Sequence, residues 1–285
     1  MKQHRFTLVE MLVVVGVIAV LAGLLLPALA HSRSAGLRTK CMNNQSQMIK
    51  AMGVYAAENG GQMIMKNYGK SGGGYTYATI LNGIDEGTGS SDYRTKSYLP
   101  KEALVCPLSK EVLVSQERYD DRSSSILGEN AIGILNPIKL SGSKPNATAD
   151  DTHGWLYDHK TKRDPNRYYY QTMGRFVNVP ENDDKTVTFV TDRMKNPAGL
   201  VIFADTFRKG GRKSNTKLET FWFFEPREKT DDECYVTLAH QDLCVGAYAD
   251  GHVEAMDSGR LRDCGTEILK FLGSDLEKHN NSDSF

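Results

Sequence analysis

The chain has 285 residues, too many for one small domain, and we expect a body of about 200 residues beside a part that is not globular. Its 35 basic and 35 acidic side chains cancel, which argues against nucleic acid as a main partner. Hydrophobic residues make up 40% and aromatics 9%, enough for a core, while the negative mean hydropathy excludes a polytopic membrane protein and leaves room for one membrane helix.

That helix comes first. From Met11 to Ala30 no side chain is charged, and about 20 apolar residues is the length that crosses the hydrocarbon of a bilayer. A secretory signal would have a shorter apolar region followed by small residues at a cleavage site. Here the sequence beyond Ala30 still reads as helix. Leu37, Cys41, Met48, Met52 and Tyr55 fall three, four or seven apart, with Asn44 the polar member of the stripe. Asn59-Gly60-Gly61 then stops it. The spacing predicts a helix from about Thr7 to Glu58, apolar all round in its first half and amphipathic in its second. At 1.5 Å per residue it would be about 80 Å long.

Glu10 stands at the mouth of the apolar run. It reads either as the N3 partner of a capping box begun by Thr7, or as a carboxylate held near the hydrocarbon because it pairs with a cation. Arg5-Phe6-Thr7-Leu8-Val9-Glu10-Met11-Leu12 followed by a long apolar helix resembles the processing site of type IV prepilins and type II secretion pseudopilins. The resemblance implies a leader of residues 1–5, cleavage between Arg5 and Phe6 by a prepilin peptidase, N-methylation of Phe6, and Glu10 as fifth mature residue. It also implies that Glu10 sets the register between stacked subunits, and that Pro27 loosens the helix. This chain departs from the family at Arg5, where glycine is usual. The basic residues on the two sides of the apolar run nearly balance, so charge does not set the orientation. The resemblance alone puts residues 61–285 outside the cytoplasm, with the helix over 6–60 in the inner membrane.

Residues 60–97 are rich in Gly, Ser and Tyr and read as loops, with one helical turn around Ala78–Leu81. Gly69-Lys70-Ser71 is no phosphate loop, because the required first glycine is Ile64 and no apolar strand precedes it. Residues 141–167 read as a long surface insertion. Within it Asp151, His153, Asp158 and His159 form a polar cluster whose oxygen ligands suit calcium, but without a repeating acidic spacing, and a solvated loop is the plainer reading. Tyr168-Tyr169-Tyr170 and Phe221-Trp222-Phe223-Phe224 suit either a sugar-binding face or alternating burial in strands.

Strand patterns concentrate towards the C-terminus, at Lys185–Thr191, Gly199–Ala204, Thr220–Phe224, Cys234–Ala239, Leu243–Tyr248 and His252–Met256. The last three are joined by His240-Gln241-Asp242 and Ala249-Asp250-Gly251, the second a two-residue hairpin signal of type I′. The expected class is α+β, a long N-terminal helix whose amphipathic half packs on an antiparallel sheet, as in pilins.

His240, nine residues, then Asp250-Gly251 resembles the C-terminal H-x9-DG domain that accompanies prepilin-type N-termini. Cys41-Met42-Asn43-Asn44, Val105-Cys106-Pro107 and Pro197–Asp205 fit the same group. Chemically, a hairpin would draw His240, Asp250 and His252 together as metal ligands or an acid–base pair, needing a further partner in Asp205, Asp242 or Glu254. Against this, Asp250-Gly251 would simply turn the chain while His240 bonds backbone at a strand end. The five cysteines are an odd number. In an oxidising compartment Cys106, Cys234, Cys244 and Cys264 are disulfide candidates, with Cys234 and Cys244 on neighbouring strands. No C-x2-C spacing points to zinc.

These readings lead to a non-enzymatic pilin-like subunit without a cofactor, calcium being the one ion the sequence leaves room for. Its expected partners are the prepilin peptidase and methylase, other pilin-like subunits and inner-membrane lipid. The rival is an unprocessed, membrane-tethered binding protein for a ligand such as polysaccharide. A hydrolase built on His240 and Asp250 would need a nucleophile or a metal that the sequence does not offer.

Overall fold

A computed structural model describes residues 8–68, 74–83, 96–108, 131–135, 177–178, 185–194, 196–211, 214–220, 223–224, 226, 234–266, 268–274 and 277–280. Arg5, Phe6 and Thr7 lie outside these residues. So do the acidic cluster at Asp151–His159, the tyrosines 168–170, and Phe221 and Trp222.

Helix α1 runs unbroken over Leu8–Glu58, one residue from its predicted start, and carries Pro27 inside it. Pro27 has no N–H for the i−4 carbonyl, so the ladder loses one bond there. Its two halves differ as the pattern predicts. Every apolar side chain from Leu8 to Leu29 is exposed. In the second half Cys41, Asn44, Gln45, Met48, Ile49, Ala51, Met52 and Ala56 are buried on one face. Gly60 and Gly61 end the helix with positive φ, 64° and 78°, and Gly61 N–H donates to Ala56 O at 2.8 Å.

Among the described residues the strands form three sheets. The first has the order β2 (Gly74–Thr76), β1 (Gln62–Tyr68), β5 (Lys185–Val190), β4 (Val177–Asn178). The second has the order β12 (Val253–Met256), β11 (Cys244–Tyr248), β6 (Val201–Ala204), β3 (Gly133–Leu135), β9 (Phe223–Phe224). The third has the order β14 (Lys278–Asn280), β13 (Lys270–Leu272), β10 (Cys234–Thr237), β7 (Thr206–Gly211), β8 (Ser214–Thr220). The class is α+β, as expected, but the sheets are mixed rather than antiparallel throughout. β3 pairs with β9, and β10 with β13, in parallel. Two short helices complete the described elements: α2 (Tyr77–Asn82), which contains the predicted turn, and α3 (Ser258–Asp263), capped by Asp257 accepting from Arg260 N–H.

One apolar core joins these parts. Met48 and Met52 of α1 pack in it with Met63 and Met65 of β1, Phe189 of β5, Phe203 of β6 and Tyr248 of β11. β11 and β6 are fully buried along their length, so this second sheet is the floor on which the lower half of α1 lies.

Two expectations about the C-terminal strands need correction. β10 and β11 do not pair; they belong to different sheets, so Cys234 and Cys244 are not on neighbouring strands. The type I′ geometry falls at Gln241-Asp242, both with positive φ (56° and 59°), and not at Asp250-Gly251. The Asp250-Gly251 joint is a three-residue loop. Gly251 N–H donates to Tyr248 O at 2.9 Å, and only Gly251 takes positive φ (98°), the form of a type I turn closed by a glycine bulge.

Candidate functional site

Two places carry the chemistry that the sequence singles out. The first is the exposed apolar half of α1, with Glu10 in its first turn. It is the one helix among the described residues long and apolar enough to cross a membrane. A row of exposed Leu, Val and Ile this long far exceeds the apolar patch a soluble surface tolerates. Its chemistry is that of a lipid or helix-packing surface.

The second is built around His240, which is fully buried. Local backbone puts it there. β10 ends at Thr237, and the two left-handed residues Gln241 and Asp242 reverse the chain into β11, with His240 N–H donating to Leu243 O at 2.9 Å. Asp242 also accepts from the Ser274 hydroxyl. The side chain of His240 turns inward. Its Nε2 lies 3.3 Å from Asp205 Oδ2 and 3.4 Å from Cys106 Sγ.

Asp205 is the link between β6 and β7, where the chain leaves the second sheet for the third. Its own N–H donates to Val245 O at 3.2 Å, and its carbonyl accepts from Thr237 N–H at 2.9 Å, so its backbone ties the two sheets together. Its carboxylate is buried and well supplied with donors: Val245 N–H at 2.9 Å, Gln45 Nε2 at 3.3 Å and Cys41 Sγ at 3.1 Å. Three donors at a buried carboxylate meet the requirement that such a group be satisfied.

Cys41 and Gln45 are one turn apart on the buried face of α1. Gln45 Nε2 also reaches Val245 O at 2.9 Å, which fastens α1 directly onto β11. Cys106 arrives from the segment after the 3-10 turn at Lys101–Leu104. Asn44 holds that segment, donating to Val105 O at 3.0 Å and Glu102 O at 3.3 Å. The ligand atoms of Cys41, Cys106, Asp205 and His240 all lie within 4.8 Å of one another, and all four residues are buried.

The electrostatics follow from this crowding. Burial opposes a charge on His240, but the Asp205 carboxylate and Cys106 outweigh it and its pKa is pushed up to about 10. Burial raises the Cys41 thiol well above its ordinary range, helped by Cys106 and Asp205. For Cys106 burial pushes upward too, yet its bonds to Cys41 and His240 prevail and its pKa is lowered.

The structure separates the residues that the sequence reading grouped. His240 and Asp250 stand at opposite ends of β11, about 17 Å of strand apart. Asp250 is at the surface, where its carboxylate accepts from His252 N–H at 3.1 Å and lies 2.6 Å from His252 Nδ1. Of the further partners considered for His240, Asp205 is the one that meets it. Glu254 instead takes the Tyr248 hydroxyl and Arg260 Nε. The disulfide candidates are also redistributed. Cys106, Cys244 and Cys264 are buried thiols, and the sulfur facing Cys106 is that of Cys41, which is not among the disulfide candidates. The side chain of Cys234 lies outside the described residues. Gln45 went unread, although its place between Cys41 and Met48 on the helical stripe marks a polar residue at a core position.

Comparison with known proteins bears on the first place. Residues 2–26 match the family model described as the prokaryotic N-terminal methylation motif. The chain therefore carries a prepilin-type N-terminus. The match spans Arg5, Phe6 and Glu10 and most of the apolar run. It supports a pilin-type precursor of the kind a prepilin peptidase processes, and with the apolar helix it fits a single-pass membrane-anchored protein. No curated protein and no solved structure matches the chain.

Proposed function

We propose that this protein is a structural, non-enzymatic pilin-like subunit. It is cleaved between Arg5 and Phe6, methylated on Phe6, and drawn from the inner membrane into a pilus or a type II secretion-like pseudopilus. Residues 61–285 face away from the cytoplasm, and the segment from His240 to Gly251 belongs to the H-x9-DG type. The observation that carries the reading is the pairing of the matched motif with a helix half that is wholly exposed. Such a surface is satisfied by lipid before assembly and by sister helices after it. Within that surface Glu10 is the residue suited to set axial register, because a carboxylate at that depth is stabilised by the freed amine of a neighbouring subunit's first residue.

The test is the mature N-terminus, read by mass spectrometry on protein from native membranes. The expected result is a chain that begins at N-methylated Phe6. Glu10→Gln should then stay in the membrane yet fail to co-purify with sister subunits, and unimpaired assembly of that variant would refute the register role. A chain that keeps Met1 or Lys2 would refute processing. Arg5, standing where the family carries glycine, is the observation that favours a second reading in that event: a membrane-tethered binding protein, for a ligand such as polysaccharide, that does not polymerise.

A further inference from the structure

The four side chains around His240 come from four separate parts of the chain: α1, the segment after the 3-10 turn, the β6–β7 link and the turn before β11. Nothing in the pilin-like reading uses them. They bring two sulfurs, one imidazole nitrogen and one carboxylate into a space within 4.8 Å, with no solvent access. We propose that Cys41, Cys106, Asp205 and His240 form a structural metal site for a borderline-soft divalent transition ion, zinc by preference, which fastens the stalk helix to the head.

The donor set selects the ion. Thiolates and imidazole suit zinc, while calcium and magnesium take oxygen ligands in larger shells. The spacing agrees as well. From metal–ligand distances of roughly 2.0–2.3 Å, a tetrahedral shell spaces its ligand atoms about 3.3–3.8 Å apart. The structure has Cys41 Sγ to Asp205 Oδ1 at 3.1 Å, His240 Nε2 to Asp205 Oδ2 at 3.3 Å, and Cys106 Sγ to His240 Nε2 at 3.4 Å. These contacts use both Asp205 oxygens, and no pair of ligand atoms in the group is wider than 4.8 Å, so shifts of up to about 1 Å draw the four into one shell. Four protein ligands with every position buried make a closed, structural site rather than a catalytic one.

The surroundings are those of an outer ligand shell. Gln45 Nε2 and Val245 N–H orient the Asp205 carboxylate. Asn44 pins the segment that bears Cys106. His240 Nδ1 is buried and makes no hydrogen bond, so Nε2 is the nitrogen through which this ring engages its neighbours. Binding releases the two thiol protons and one imidazole proton of His240, and leaves two thiolates, one carboxylate and a neutral imidazole around the dication, a net charge of −1 for the group. The site also divides the H-x9-DG pattern by role, His240 as ligand and Asp250-Gly251 as a turn.

The experiment measures metal content on the full-length, untagged chain purified from membranes in detergent, by elemental mass spectrometry, with thiol state read by intact mass. The expected result is about one zinc per chain, with Cys41 and Cys106 unbridged. His240→Ala and Cys106→Ser should lower loading at least about tenfold, while His252→Ala, an exposed histidine at the far end of β11, leaves it unchanged. Gln45→Ala is the second variant, because it removes no ligand. It should retain one zinc per chain but yield it to a competing chelator roughly 10–100-fold more readily. Cobalt exchanged into the wild-type chain should show sulfur-to-metal charge transfer that Cys41→Ser diminishes. A wild-type chain without transition metal, whether its Cys41 and Cys106 are thiols or a disulfide, overturns the proposal. Equal loading in wild type and His240→Ala overturns it too. Neither result depends on whether Arg5-Phe6 is cleaved.

Discussion

The two halves of α1 are continuous in backbone and opposite in what they ask of their surroundings. Leu8 to Leu29 presents apolar side chains in every direction and none is buried. Cys41 to Ala56 buries one face, and that face includes Cys41, Asn44 and Gln45, each bonded to the head. The first half therefore has affinity without direction, and any apolar medium or sister helix satisfies it. The second has direction: a few polar bonds define which residue of the helix meets which strand. The proposed assembly would draw on both, a helix free to change neighbours at one end and fixed to its own head at the other.

The comparison breaks most sharply under truncation. Met48→Ala opens a cavity in the core and should destabilise the head by about 2–5 kcal/mol, whereas Leu24→Ala should leave head stability unchanged. Denaturant unfolding in detergent, followed by the fluorescence of the head, reads both. Equal effects would mean that the halves are not independent.

A smaller effect tests the turn that closes β11 and β12 against the helix. A Cβ at Gly251 would meet nothing within 4 Å, so Gly251→Ala should cost only the left-handed backbone at φ 98°, about 1–2 kcal/mol. Gly53→Ala, on α1 with equally open surroundings, should instead stabilise by up to about 1 kcal/mol through helix propensity. Thermal unfolding of the two variants should shift in opposite directions. A gain at Gly251 would show that the loop relaxes to another turn type.

The smallest effect lies at the foot of α1. Lys96 Nζ at 2.6 Å and the Tyr98 hydroxyl at 2.5 Å donate to the Glu58 carboxylate and hold its pKa below the ordinary 4.5. Burial and the same carboxylate push Tyr98 the other way, to about 12. Because the folded pKa of Glu58 is depressed, its contribution is complete above the ordinary carboxylate value and is lost as pH falls through the lowered one. The pair is exposed, so the loss is slight. Glu58→Gln should flatten the acid side of the stability profile below about pH 4.5 and leave neutral stability nearly unchanged, as measured by urea unfolding at a series of pH values.

Much of the fold was legible because it rests on periodicity. Six strand patterns from Lys185 to Met256 correspond to observed strands within a few residues. β1, QMIMKNY, escaped because methionine, lysine and asparagine are weak strand formers and glycines flank it. β7 and β8 escaped because their polar, glycine-bearing sequences read as loop. The candidate site was legible only in fragments. His240, Cys41, Cys106 and Asp205 each stood in a segment quoted for the family resemblance, but no local spacing announced that they meet. The ligand spacing of small zinc modules is a property of one loop or hairpin, and here four distant segments contribute one residue each.

The sequence by itself determined the long helix, its change of character near Ala30, its stop at Gly60-Gly61 and the prepilin-type N-terminus. All of these are local: an uncharged run, a 3.6-residue stripe, glycines with positive φ, a short motif. Tertiary structure alone decided that β10 and β11 part into different sheets, that the left-handed turn is Gln241-Asp242, and that His240 leaves Asp250 to join two cysteines and Asp205. Those outcomes depend on which strands Asp205 bridges and on where Gln45 fastens α1. They are long-range hydrogen bonds between segments far apart in sequence, to which periodicity and motif spacing are blind.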